Sequence, residues 1–449
     1  MNGKKNIFIV GLDDFNKKFL SQMTGSGGYE FHGALHYSDI REVKSYNMKA
    51  LIDKAISKME SFRGSVDGVA AYYDFPGTSL VPILAKRFNL PGPKMESVMK
   101  CEHKYWSRLE QKKVIPEHIP KFQAFDPFDE QAFEKLELLP PFWIKPIKSF
   151  KSFLSFRIND EQEFREAVSE IRKKIGLICE PFQNFVKDYS DIPGELSLNE
   201  TCIAESPIGG FQFTLEGYCF KGESVIYGIV DSIREKDDTT FARYQYPSNL
   251  PLEIEVKLAD ITRKIVNQIE LDNSPFNIEF YYNQTSDQIY LLEINPRVSE
   301  AHSDMFAKVH GHSHLRIMAD ICLGKKPQTM RKDGSFKMAA HFMLRHFEDG
   351  WVTYAPGAEQ IMMVEEMYPE TKVKILVREG ERLSELLAVQ NSYSYELANI
   401  FIGGRDEEEL VEKYNDILEL LPFTIEKEPV SDDFTAGRSQ EIQGIRNPL

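Results

Sequence analysis

Only five cysteines occur in 449 residues, Cys101, Cys179, Cys202, Cys219 and Cys322, and no two of them form a CxxC pair. An odd, scattered set argues against a disulfide framework or a cysteine-built zinc site, and it fits a reducing, cytoplasmic setting. Basic residues are in deficit as well. Lys plus Arg total 54 against 69 for Asp plus Glu, and 54 − 69 gives a net charge of −15 at pH 7. Such a field repels a polyanion, which argues against nucleic acid as the main partner unless a local basic patch overrides it. Long hydrophobic runs are missing too. The first apolar run, Ile7 to Val10, stops at Gly11, too short for a signal peptide, and no stretch of about 18 apolar residues could span a bilayer. A soluble protein with no membrane partner is expected. Gly11 is also the lone glycine after that first run, so the GxGxxG fingerprint of a dinucleotide site is absent.

What remains has the composition of a globular protein, with 42% hydrophobic and 27% charged residues. At roughly 100–200 residues per domain the length implies two to four domains. The periodicity predicts α/β and α+β architecture. Residues 1–95 alternate strand-like and helix-like stretches, as an open parallel sheet requires, and end in the joint Leu90-Pro91-Gly92-Pro93. One helix is predicted over Glu96–Lys113. Short strands then crowd together at Lys121–Phe125, Phe142–Ile147, Phe153–Ile158, Leu177–Cys179 and Cys202–Ser206, with a helix at Glu161–Ile175. A hairpin, Phe211–Phe220 with Ser224–Ile233, and a helix, Leu252–Ile269, precede a second hairpin, Phe276–Tyr282 with Ile289–Ile294. Residues 96–325 form the second domain and 326–427 an α+β region. The segment 428–449 lacks apolar periodicity and reads as a flexible tail.

The second hairpin is the most informative stretch, because each of its apolar arms carries a glutamate. Side chains alternate faces along a strand, so Glu293, Asn295 and Arg297 project to one side. If Tyr282 pairs with Tyr290, Glu279 lies directly across from Glu293. Two facing carboxylates are destabilising unless a cation lies between them. Oxygen-only ligands, Glu279, Glu293 and the Asn295 amide, suit Mg²⁺, and Arg297 at the rim offers a planar donor for an anion. A solvated sheet face with surface glutamates is the plainer reading of the same pattern. Lys145 is the one charge in the apolar strand Phe142–Ile147; alone it reads as an edge-strand charge, and beside a metal hairpin as a phosphate ligand. Lys104 and Arg108 are one turn apart on a predicted helix, which by itself suggests a solvated face.

Several of these pieces together resemble the ATP-grasp superfamily, and within it the carboxylate–amine ligases, over roughly Val66 to Lys325. His103-Lys104 with Pro116, Ile144-Lys145-Pro146, the hinge-like Ile203-Ala204-Glu205-Ser206-Pro207-Ile208, and Gly210-x-Gln212-x-Thr214-x-Glu216-Gly217 occur in the family's order. The resemblance implies an N-terminal Rossmann-like pre-ATP-grasp domain, a lid subdomain at about 140–205, a core antiparallel sheet and a C-terminal α+β region. It implies ATP bound by Lys104, Lys145, Glu205, Ser206, Ile208 and Gln212, with Mg²⁺ (or Mn²⁺) on Glu279, Glu293 and Asn295. Arg297, with Lys145, would be catalytic, holding the carboxylate and acyl phosphate. The expected substrates are a small-molecule carboxylic acid and an amine, with a homodimer left open. Alternatives are a bicarbonate-activating carboxylase, disfavoured because no Ala-Met-Lys-Met segment occurs near the C-terminus, and a silent ATP-binding regulator. Two departures stand out. The lid loop Lys148-Ser149-Phe150-Lys151-Ser152-Phe153 has no glycine, so Lys148, Lys151, Ser149 and Ser152 would have to contact phosphate instead, and Gln212 stands where relatives have a glutamate.

Weaker signals lie further on. Four histidines fall between His302 and His314, where His310 and His314 would share a helix face suited to zinc, although a substrate loop led by His302 and Ser303 is the better fit. Ser232, Arg234 and Arg243 could bind a substrate carboxylate, with Arg234 more readily a surface charge.

Overall fold

A computed structural model describes residues 4–23, 28–41, 46–149, 153–191, 196, 201–234, 240–386, 389–390 and 394–427. The tail expected at 428–449 and the lid-loop residues Lys151 and Ser152 lie outside the described residues. The chain divides into two compact units, Met1–Ile233 with Tyr244–Ala340, and Arg234–Arg243 with His341–Leu449.

The first unit opens on the parallel sheet that the early alternation predicts. Strands β1 (Lys5–Leu12), β2 (Tyr29–His36) and β3 (Gly68–Ala70) run in the order β2-β1-β3. Alternation sends Phe8 and Val10 into a core with Ile52, Ala55, Leu80 and Leu84, while Ile7 and Ile9 meet Leu315, Met318 and Ala319. Burial on both faces is what a parallel sheet demands. The single helix expected at Glu96–Lys113 is two, Met95–Glu102 and Lys104–Val114. His103 separates them with extended backbone, and its imidazole accepts from the Trp106 amide at 3.1 Å. This N-cap satisfies an amide that the new helix would leave bare, so the chain can turn there at little cost.

Strands β4 (Phe122–Phe125), β5 (Phe142–Pro146), β6 (Phe156–Ile158) and β7 (Cys202–Glu205) form a separate sheet in the order β4-β7-β5-β6. The strand expected at Leu177–Cys179 is not one. Ile175–Leu177 is a 3₁₀ turn, and Cys179–Tyr189 is a helix whose Phe182, Phe185 and Val186 pack at helical spacing into the core holding Phe75 and Trp106. A three-residue apolar run cannot tell helix from strand, and the period becomes visible only when Phe182 to Val186 are read with it.

The third sheet positions the site. Strands β8 (Phe211–Phe220), β9 (Glu223–Arg234), β11 (Ser274–Asn283) and β12 (Gln288–Asn295) are antiparallel in the order β12-β11-β8-β9, while β10 (Phe241–Tyr246) and the strand Met338–His346 carry the chain between units. Helix Leu252–Gln268 covers one face, where Leu258, Ile261 and Ile265 meet Phe213, Leu215, Ile278, Phe280 and Ile294. The polar residues of the same strands are thereby left on the opposite face. Gly217 is required by this packing. A Cβ there would lie 2.3 Å from the Phe276 ring and 2.7 Å from the Val225 carbonyl oxygen. Gly217→Ala is therefore expected to destabilise the protein by about 1–3 kcal/mol in urea unfolding, the usual cost of overpacking.

The second unit pairs Lys372–Ile375 with Tyr395–Gly404, and Trp351–Tyr354 with Thr424–Glu426. Val352, Val377, Leu383 and Leu397 are buried together in it.

Candidate active site

The carboxylate hairpin forms, with a register that differs from the expected one. Tyr281, not Tyr282, pairs with Tyr290, and a regular ladder from there would set Glu279 against Leu292. A β-bulge between Glu279 and Phe280 absorbs the offset: Phe280 pairs with Leu291 and Glu279 with Glu293. One extra residue on β12 thus restores the facing pair that a regular hairpin of this register would lose. Two rungs along, past Ile278 and Ile294, Asn277 faces Asn295, so Asn277, Glu279, Glu293 and Asn295 make a polar square on the face that helix Leu252–Gln268 leaves uncovered.

Cations surround this square. Lys104 Nζ lies 2.9 Å from Glu293 Oε2, with only 12% of its side chain exposed. The solvated helix face expected of Lys104 and Arg108 is overturned, because both point inward: Arg108 is 3% exposed and donates to Glu205 at 2.6 Å and to the Leu292 carbonyl at 2.8 Å. Burial opposes the charge of Glu293, but Lys104 outweighs it and the carboxyl sits below its ordinary range. Glu279 goes the other way. Desolvation and the neighbouring Glu293 charge push its carboxyl up to about 7, and its hydrogen-bond donor is the Gln212 amide at 3.0 Å. Two carboxylates and an amide meet on one face of the sheet, and the Glu279 charge is the less favoured of the pair. This all-oxygen donor set therefore fits a hard divalent cation at Glu279, Glu293 and Asn295.

Lys145 projects from β5 and lies 2.6 Å from Glu205 Oε2. Glu205 therefore joins two cations from two elements. Burial alone would raise its pKa, but Arg108 and Lys145 override burial and hold it at about 2. Ser206 is bound to the strand opposite through Lys121, its hydroxyl accepting from the Lys121 amide at 3.0 Å. Ile208 follows it in the connection to β8.

Arg297 is gripped by a residue that the sequence did not single out. Its Nε and Nη2 donate to the two oxygens of Asp74 at 2.7 and 3.1 Å. Burial opposes ionisation of Asp74, yet the guanidinium keeps its carboxyl far below the usual range. Glu102 is the second such residue. It takes the ammonium of Lys148 and the hydroxyl of Thr78 in a buried cluster, so Lys148 is committed to a carboxylate rather than standing free for phosphate. Ser149 beside it is 6% exposed. Asp74 and Glu102 carry no local signature, since each partner lies more than twenty residues away in the chain.

The remaining candidates fall in three places. Ser232, 3% exposed, faces Gln212 across β8 and β9, and its hydroxyl has no hydrogen-bond partner among the described residues, the kind of group a ligand satisfies. His302 and Ser303 are buried: His302 Nδ1 is 2.8 Å from Glu216, and the Ser303 hydroxyl is 3.1 Å from His314 Nε2. Arg243 belongs to the second unit and pairs there with Glu407, and Arg234 of that unit lies over the Phe241 ring at 4.5 Å. The zinc reading fails on backbone geometry. Helix Ser303–His310 ends at Gly311 with φ 76°, so His310 and His314 share no helix face. His310 engages the Tyr246 hydroxyl at 2.7 Å, and His314 the Ser299 carbonyl at 2.9 Å.

Comparison with known proteins bears on the fold that carries this arrangement. Residues 138–303 match the family model of the ATP-grasp domain. The large chain of carbamoyl phosphate synthase from Micrococcus luteus is 27% identical over 149 residues, which take in 32% of this chain and 13% of that relative. Among solved structures, an L-amino acid ligase from Bacillus licheniformis aligns over 95% of this chain and 100% of its own, with TM-score 0.68 and 16% identity. Phosphoribosylglycinamide synthetase from Anaerococcus prevotii gives 94%, 100%, 0.59 and 15% for the same measures. A biotin carboxylase complex from Campylobacter jejuni gives 94%, 92%, 0.63 and 14%. Residues 138–303 thus match an ATP-grasp domain, and the chain carries the ATP-grasp fold.

Proposed function

Proceeding from the ATP-grasp fold, we propose that this protein is an ATP-dependent carboxylate–amine ligase that joins a small carboxylic acid to an amine and releases ADP and phosphate. The observation that carries this reading is the facing pair Glu279 and Glu293 with Asn295, with Lys104 on Glu293, Lys145 held by Glu205 and Arg297 held by Asp74. An oxygen of the substrate carboxylate attacks the γ-phosphorus, the bond to the β,γ-bridging oxygen breaks, and ADP leaves. The amine then forms the C–N bond, the C–O bond to phosphate breaks with its electron pair going to phosphate, and the nitrogen loses a proton.

Such transfer needs positioning and charge stabilisation rather than a protein nucleophile. Lys104 and Lys145 would hold phosphate oxygens; each now ends on a carboxylate, Glu293 and Glu205, that a phosphate could replace. Arg297, fixed along one edge by Asp74, keeps further N–H groups for the substrate carboxylate. Ser232 is assigned to that same carboxylate. Mg²⁺ or Mn²⁺ held by Glu279, Glu293 and Asn295 would neutralise phosphate charge. The five cysteines are buried free thiols, and no helix among the described residues is long and apolar enough to cross a membrane. A cytoplasmic location is part of the proposal.

Phosphate release across a panel of amino acids and other small acids, each with and without amines and with a bicarbonate arm, is the test. Release that requires both an acid and an amine, with an amide seen by mass spectrometry, is expected. Silence across the panel while ATP still binds, or release with bicarbonate alone, would sink the ligase reading.

A further inference from the structure

Two rungs from the carboxylate pair, Asn295 of β12 faces Asn277 of β11, and Glu216 of β8 faces Asn277 from the other side. The three side chains form a row across three strands. Asn277 Nδ2 donates to Glu216 Oε1 at 2.7 Å, and Asn295 Nδ2 donates to Asn277 Oδ1 at 3.3 Å. Glu216, Asn277 and Asn295 are 0%, 2% and 5% exposed. An amide has a donor end and an acceptor end, and in so buried a row a wrong choice leaves a polar atom unpaired.

Glu216 makes the choice. An ionised carboxylate only accepts, and donors surround this one: His302 Nδ1 is 2.8 Å from Oε1, and the Tyr227 hydroxyl is 3.5 Å from Oε2. Burial opposes its charge, yet the His302 hydrogen bond, the neighbouring imidazoles and Asn277 keep the carboxyl below its ordinary range. Asn277 must therefore turn Nδ2 toward Glu216 and Oδ1 toward Asn295. Asn295 must turn Nδ2 toward Asn277, which leaves its own Oδ1 as the end directed elsewhere.

We propose that Glu216 is a positioning residue that, acting through Asn277, sets which end of the Asn295 amide is offered beside Glu279 and Glu293, so that an oxygen and not an NH₂ group completes the cation site. The inference rests on the metal assignment above. It also gives the histidine segment a role: His302 steadies the carboxylate at the head of the row.

Calorimetric titration of Mn²⁺·ADP into the folded protein tests it. Glu216→Gln removes the obligatory acceptor and lets the row settle in either sense, so binding should weaken about ten-fold or more, the usual penalty for losing the partner of a metal ligand. Aspartate presents oxygen whichever way it turns. In an Asn295→Asp background, Glu216→Gln should therefore change the affinity by no more than about two-fold. Should Glu216→Gln fail to fold by circular dichroism, Asn277→Ala tests the same link with the same two expectations. Unchanged affinity in the Asn295 protein, or an equal loss in both backgrounds, would overturn the proposal. Glu293→Ala separates the two layers. If it binds Mn²⁺·ADP like the parent, the metal assignment and everything resting on it fall, whereas if it loses binding and Glu216→Gln does not, only the positioning role falls.

Discussion

Glu293→Ala is expected to lower ATP turnover by at least about two to three orders of magnitude, a loss of the size seen when one preorganised charge-stabilising group is removed from a transition state. Two effects combine in that figure. The first is the loss of one of two facing carboxylates, which leaves Glu279 as the only anionic donor in the square. The second is the fate of Lys104, whose ammonium lies 2.9 Å from Glu293 with little of its side chain exposed. Without Glu293 that ammonium loses its partner, and burial then works against its charge at the place where phosphate has to be held. Glu293→Gln separates the effects, because it keeps the shape and an oxygen ligand while removing the charge. Steady-state phosphate release beside ADP binding is the measurement. Turnover within ten-fold of the parent in Glu293→Ala would show that the hairpin does not hold the reacting phosphates.

The second large effect concerns stability. Glu205 is 5% exposed and is the shared counter-charge of Arg108 and Lys145. Glu205→Ala leaves two buried cations facing each other, and is expected to cost about 3–5 kcal/mol in urea unfolding at pH 7, the range for breaking a buried pair from one side. Acid titration gives an independent route to the same number. The Glu205 carboxyl sits at about 2 when folded against about 4.3 in an unfolded chain. A depressed carboxyl stabilises the fold above its unfolded value and loses that contribution as pH falls toward the folded one. The difference amounts to about 3 kcal/mol, lost between about pH 4.5 and pH 2. The difference in unfolding free energy between parent and Glu205→Gln should therefore shrink across that window. A difference that stays constant from pH 5 to pH 3 would show that the carboxylate is not held by its two cations.

How far the site was legible depends on how far apart its partners lie in the chain. The facing glutamates could be read because alternation within a strand is a local rule, and each arm carries its acid in an otherwise apolar run. The bulge could not be read, because nothing in Tyr281-Tyr282 or Leu291-Leu292 distinguishes one register from the next until the sheet assembles. The inward turn of Lys104 and Arg108 was hidden from helical spacing for a related reason. Helical spacing gives a face its composition but not its neighbour, and the neighbours here, Glu293 and Glu205, are 189 and 97 residues away. Asp74 and Glu102 stayed hidden because a lone acid at a helix end or in a turn looks like any other. Of the fold, the parallel sheet, both hairpins and the helix after the first of them follow from periodicity. Leu177–Cys179 was lost to an apolar run too short to carry a period.

Helix Cys179–Tyr189, one of the elements between β6 and β7, has a consequence for heat. Its Phe182 ring stands 5.1 Å from Phe75, and Phe182, Phe185 and Val186 share a core with Met99 and Trp106. Any movement that lifts this part of the chain to admit or release a nucleotide must wet that aromatic seam. Wetting apolar surface carries a positive heat capacity. An opening step of that kind has an enthalpy that grows with temperature, so its rate would follow a curved Eyring plot, and cold would hold the seam shut less firmly than moderate warmth.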